Sequence, residues 1–245
     1  MISRDMILKK RLSPKEIGKL VLIGSGKGGV GKSTISIFLS LFMSEKGHKT
    51  GLLDLDVHSS SIASVFNIKG RIKAGKYGFE PLKHGNLEVM SLGFVLGDRP
   101  VPLRGEGESG VVSWLLSTTN WGKLDYLVVD LPPGTGDEVL SAIRMSSGMR
   151  RKNIAVTTPS KISVDAVRKY VKLLRDENVE IDALVVNMSR LGDIKLFGDV
   201  DFAGNTIELP FDQRIEEFFR GTRDWRSLSD EFLSGVERIY EVVKL

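Results

Sequence analysis

The stretch from Gly24 to Thr34, GSGKGGVGKST, constrains this 245-residue chain more than any other. The apolar run KLVLIGS precedes it, and KSTISIFLSLFMSEKG follows with helical spacing up to Gly47. A buried strand that enters a glycine loop and leaves as a helix points the loop N–H groups and the helix N-terminus at one spot, which suits a phosphate. The spacing Gly26-x-x-x-x-Gly31-Lys32-Ser33 meets the phosphate-loop pattern in this context. Lys32 is expected to reach the β and γ phosphates, and the Ser33 hydroxyl to ligate Mg²⁺.

Apolar runs and helical patterns alternate along the rest of the chain. KTGLLDLD, LEVMSLG, LDYLVVDLPPG, NIAVTTPS, IDALVVNMS and NTIELP read as strands. SVDAVRKYVKLLRDEN, QRIEEFFRG and SLSDEFLSGVERIYEVVKL read as helices. That order implies an α/β fold, a doubly wound and mostly parallel sheet with helices on both faces. Residues 1–245 are expected to form one domain. The segment from Ile68 to Gly110 is the least regular and is expected to form a loop or lid over one end of the sheet.

Three acids complete the phosphate chemistry. Asp130 ends the strand YLVVD, where a carboxylate can hold Mg²⁺ through a water. Asp54 and Asp56 end the second strand two residues apart, hence on one side of it. One of them, Asp56 being favoured, is expected to orient or deprotonate the attacking water; a helix cap or a loop salt bridge is the competing reading. Lys27, inside the loop, is aimed outward and so at a nucleotide held by a partner. Fingers supplied in trans are worth about 10³ to 10⁵ in kcat. The alternative for Lys27 is a solvated lysine that raises local potential.

At KGGVGKST the chain resembles the deviant Walker-A ATPases of the MinD and Mrp group, and DLPPGTGD resembles the Mrp branch in particular. The resemblance implies a P-loop ATPase that hydrolyses ATP with Mg²⁺ and forms a homodimer when ATP is bound, Lys27 contacting nucleotide across it. It also implies contacts from Gly26, Gly28, Gly29, Val30, Gly31, Lys32, Ser33 and Thr34. The segment DLDVHSSS resembles switch I, and Asp130 to Asp137 would form switch II, reading the γ-phosphate through amides near Gly134. Asn187 matches an adenine-recognising asparagine, and Pro210, Phe211 and Asp212 match the loop that packs on the base.

Two departures bear on function. Mrp-type proteins usually carry Cys-x-x-Cys after the segment matching VVNMS, whereas this region reads MSRLGDIKLFGDV, and the chain has no cysteine. Disulfides, thiolate nucleophiles and an iron–sulfur cluster on its own thiolates are therefore excluded within this chain. Its three histidines, His48, His58 and His84, argue against a transition-metal site. The second departure is Ser59-Ser60-Ser61, where the family segment usually contains Gly-Pro-Ser.

The resulting expectation is a dimeric ATPase switch in metallocentre maturation, resembling the archaeal ATPase-type counterpart of HypB, which assists nickel insertion into [NiFe] hydrogenase. Its partner would be a metallochaperone or an apo-metalloenzyme. The alternatives are an iron–sulfur carrier-like ATPase acting without its own cluster, or a spatial-organisation ATPase on DNA or membrane; a small-molecule kinase ranks last. A net charge of +4 is scattered in short groups such as Arg150-Arg151-Lys152, which disfavours nucleic acid. No apolar run reaches the roughly 18 residues of a membrane span, the N-terminus lacks a signal-type apolar stretch, and a cytoplasmic protein is expected.

Overall fold

β1 (Ile17–Ser25) is apolar on both sides of its pleat, and both sides are covered. Leu20 and Leu22 enter one core while Val21 and Ile23 enter the other, as the two-residue period of a strand requires. A strand buried in this way needs helices on both faces of its sheet. The computed structural model describes residues 16–56, 62–66, 72, 74–75, 78–91, 93–94, 106–191, 200 and 204–245. Most of the expected switch I segment, residues 95–105 of the segment expected to form a loop or lid, and most of the segment that lacks the cysteine pair lie outside these residues.

From β1 the chain passes through α1 (Lys32–Glu45), β2 (Thr50–Asp54) and the single turn α2 (Ile62–Val65). The two-residue strands β3 (Ala74–Gly75) and β4 (Gly78–Phe79) pair with each other, and β5 (Leu82–His84) turns back into β6 (Leu87–Ser91). Then come α3 (Glu106–Thr118), β7 (Leu124–Asp130), α4 (Asp137–Met145), β8 (Arg151–Thr157), α5 (Lys161–Asp176) and β9 (Ala183–Asn187). β10 (Asn205–Leu209), α6 (Arg214–Phe219) and α7 (Asp230–Lys244) follow. Among the described residues the main sheet has 8 strands in the order β10-β9-β8-β1-β7-β2-β6-β5, parallel throughout except where β5 meets β6. The expected doubly wound sheet is what forms.

Helices α3, α4 and α5 cover one face, where Val139, Ile143, Val167 and Tyr170 meet Leu20, Leu22 and Val129. On the other face α1 and α7 bring Phe38, Phe232 and Val236 against Val21, Ile23 and Val128. The ring of Phe38 lies 5.1, 6.2 and 5.4 Å from those of Phe218, Phe219 and Phe232. α3 departs from the expected irregular segment. Its first turns carry Gly107 and Gly110 with charge, and its apolar residues gather only from Val111 to Leu116, so no helical period shows before Gly110.

α7 is held at both ends. The Ser229 side chain accepts from the Phe232 N–H at its start, and Glu231 pairs with Arg190. At its end Lys19, from β1, donates to the carbonyls of Val243 and Lys244 at 2.7 and 3.1 Å. Burial, then the nearby Arg150 and Lys152, lower the pKa of Lys19. The stripe Phe232, Val236, Ile239, Tyr240 and Val243 is buried, so this apolar face is core rather than a membrane-facing surface. Among the described residues no helix is long and apolar enough to cross a membrane. In the basic run after α4, Arg151 donates to the Ile143 carbonyl and Lys152 pairs with Asp182.

Phe38 contributes aromatic contact and buried area together. Phe38→Ala is expected to lower stability by about 3–5 kcal/mol, read as a fall in urea midpoint at unchanged slope. A loss under 1 kcal/mol would show that the aromatic cluster closes over the gap.

Candidate nucleotide site

The expected site residues converge on the carboxyl edge of the sheet because the strands are in register. Ile23 of β1 pairs with Asp130 of β7, and Asp130 pairs with Asp54 of β2. Asn187 of β9 pairs with Leu209 of β10, which sets Pro210 and Phe211 beside it. This edge, where crossovers diverge, is where open α/β sheets place their ligands.

The loop after β1 lies under α5. A Cβ on Gly26 would come 2.1 Å from the Ala166 carbonyl oxygen, so glycine is required there by close approach. Ser25 Oγ donates to the Lys27 carbonyl at 3.0 Å and steadies the turn. Gly28 and Gly29 are exposed at the tip, and Lys27 is half-buried without an ion-pair partner among the described residues. Gly31, at φ 86°, starts α1; Ser33 and Thr34 lie in its first turn, half-buried.

Asp130 is the centre of the site. It is fully buried, and Lys32 Nζ reaches its Oδ1 at 2.6 Å. Ser33 Oγ donates to Oδ2 at 2.6 Å, and Ser36 Oγ donates to Oδ1 at 2.9 Å. Lys32, Ser33 and Asp130 were expected together; Ser36 was missed. Its signal in the sequence is a serine one turn after Ser33 on a helix face that continues with Ser40 and Ser44.

Asp54 and Asp56 are both buried next to this cluster. Asp54 accepts from Ser91 Oγ at Oδ2 and from the Asp56 N–H at Oδ1, each at 3.0 Å. Asp54 therefore shapes the turn that presents Asp56. Ser91, itself reached by the Gly93 N–H, is a second serine that sequence reading missed. Gly134, at φ 96°, donates its N–H to the Ser25 carbonyl at 2.8 Å, so this amide is committed to the base of the loop.

The 187–212 side of the site holds two surprises. The buried Asn187 donates from Nδ2 to the Val30 carbonyl at 2.9 Å, inside the loop rather than out of it. Phe211 is 53% exposed and stands free to stack, with Pro210 buried behind it. Asp212, expected beside the base, instead ties the loop to the next helices. It accepts from Arg214 Nε at 2.8 Å, from the Arg214 N–H at 3.0 Å and from the Ser229 N–H at 2.7 Å. Burial alone would raise its pKa, but these donors outweigh it and hold the carboxyl far below the ordinary range.

Comparison with known proteins gives the family and the fold. The model of the NUBPL iron-transfer P-loop NTPase family matches residues 16–195, and the chain belongs to that family. An iron–sulfur cluster carrier protein of Saccharolobus solfataricus is 33% identical, across 97% of this chain and 88% of its own length. A nucleotide-binding protein from Archaeoglobus fulgidus, solved in complex with ADP, superposes with a TM-score of 0.72 at 28% identity, over 91% of this chain and 93% of its own. The cell division ATPase MinD of Pyrococcus furiosus shares the fold, with a TM-score of 0.68 at 19% identity over 92% and 99% of the two chains. The resemblance to the Mrp and MinD group is thereby shown.

Asp212→Asn is expected to destabilise the protein at pH 7 by about 1–3 kcal/mol, because the partly buried Arg214 and Ser229 donors lose a charged acceptor. The folded pKa of Asp212 is depressed, so its contribution is full above the ordinary value of 3.8 and is lost as pH falls from there towards the folded value. Urea midpoints of wild type and variant should therefore converge in acid. A gap independent of pH would contradict this assignment.

Proposed function

We propose that this chain is a single ATPase domain that binds and hydrolyses ATP, dimerises with nucleotide, and serves iron–sulfur cluster assembly by acting on a cluster held by a partner protein. The observation that carries it is the meeting of Lys32, Ser33 and Asp130 under a phosphate loop that also bears Lys27. A hydroxyl and a carboxylate are hard oxygen donors, the kind that Mg²⁺ takes together with waters and phosphate oxygens. In this reading Ser33 and Asp130 hold Mg²⁺, which neutralises charge on the phosphates. Lys32, now on Asp130, turns to the β and γ phosphates. Asp54 fixes the turn, and Asp56 orients the attacking water. Phe211 stacks on the base beside Asn187 and Pro210.

Lys27 acts on the nucleotide of the second subunit. Its placement in a loop whose tip is exposed supports that direction. Hydrolysis then sets the dimer's shape, and the dimer's shape sets affinity for the partner, since a ligand shifts an equilibrium only through differential binding.

The comparisons and the composition support this reading of the client. Membership of an iron-transfer family and likeness to an iron–sulfur cluster carrier favour the cluster reading over nickel delivery to hydrogenase. With no cysteine in the chain, the cluster's thiolates come from the partner. A DNA-binding role gains little from Arg151 and Lys152, which are committed to the Ile143 carbonyl and Asp182.

Light scattering is expected to show ATP-driven dimerisation of the wild type and a monomer for Lys27→Ala with ATP. A mass independent of nucleotide would sink the trans role. For the client, transfer of a [4Fe–4S] cluster from a thiolate-bearing donor to an apo-acceptor can be followed by visible circular dichroism. The chain with Mg-ATP should accelerate transfer at least severalfold, and Asp56→Asn should abolish the ATP-dependent part. No acceleration would overturn the iron–sulfur reading and leave the ATPase reading standing.

A further inference from the structure

Asn187 does something that base recognition does not require. It ends β9, two strands away from β1, yet its side chain crosses the end of β8 to reach the phosphate loop. Both partners in that contact are buried: Asn187 is 4% exposed and Val30 1%. Only a donor fits there, because a flipped carboxamide would set its oxygen against the Val30 carbonyl. The fit extends to the next residue. A Cβ on Gly31 would lie 2.1 Å from Asn187 Nδ2, so the loop backbone is pressed against the amide on the side where a side chain would stand. Met188 follows in the left-handed region at φ 56°, a conformation that non-glycine residues keep only where the surroundings impose it.

We infer that Asn187 is a positioning residue for the phosphate loop: its carboxamide holds the Val30 carbonyl and so fixes the turn that leads into Gly31 and Lys32, whatever base the nucleotide carries. The inference rests on the nucleotide reading above and deepens it. One amide then joins the base pocket to the phosphate loop, so contact with the correct base is felt as loop geometry. Specificity reaches the phosphates through this residue.

The test compares Mg-ATP with Mg-tripolyphosphate, which has no base, by titration calorimetry on the full chain. Wild type, Asn187→Ala and Asn187→Asp are measured, with melting temperatures taken without ligand. Removing one net hydrogen bond should weaken tripolyphosphate roughly five- to tenfold in Asn187→Ala, and ATP by at least as much. Asn187→Asp, whose carboxylate faces a carbonyl, should lose more. Unchanged tripolyphosphate affinity beside weakened ATP would overturn the inference and leave Asn187 as a base reader only. Should Asn187→Asp fail to fold, Asn187→Ala, which adds no charge, carries the comparison. Hydrogen exchange of the Asn187 side-chain amide in wild type gives a second readout: protection supports the contact, and exchange at the rate of a solvated amide overturns it. A wild type that binds neither ligand would overturn the nucleotide reading itself.

Discussion

A carboxylate with no access to water organises this molecule. Asp130 ends β7 fully buried and is held by an ammonium and two hydroxyls, all from the first five residues of α1. Removing one partner of such a pair typically costs about 3–5 kcal/mol, because the remaining charge is left uncompensated. Three donors on one carboxylate also fix the rotation of α1 about its axis. That rotation in turn decides whether Phe38 points into the aromatic cluster and whether the loop N–H groups converge. Core packing and phosphate geometry therefore depend on one contact. In the proposed function a bound phosphate draws Lys32 away from Asp130, which makes binding at the loop a competition between anions for one lysine.

Much of this was legible in the sequence, and the reason is locality. The order strand, glycine loop, helix is written in consecutive residues, and the apolar lead-in to Asp130 marks a strand end without any knowledge of its neighbours. The α/β alternation follows from the same short-range pattern. Helix α3 escaped because its opening glycines and charges carry no period, and its helical conformation is imposed by packing of Val112, Leu115 and Leu116.

The site was less legible wherever a role depends on a distant partner. Ser36 and Ser91 look like any serine until Asp130 and Asp54 are brought to them across 94 and 37 positions. Asp212 sits in a motif that resembles a base-packing loop, but its oxygens go to Arg214 and to Ser229, 17 residues on. Asn187 was placed by resemblance at the right edge of the sheet, yet the direction of its amide across β8 is a property of the assembled sheet. Residue identity forecasts chemistry well; it forecasts direction poorly.

The clamp between Lys19 and the end of α7 has a consequence for how the chain is made. β1 precedes both of its flanking strands, which begin at Leu124 and Arg151, and the carbonyls that Lys19 caps belong to Val243 and Lys244. A strand waiting this long for its neighbours cannot settle residue by residue as it leaves the ribosome. Contacts of such large sequence separation slow folding and leave apolar surface open to aggregation meanwhile. The centre of the sheet is thus synthesised before the strands and the helix end that close it, and a ribosome-stalled chain ending before residue 230 would be a client for chaperones rather than a smaller version of the folded protein.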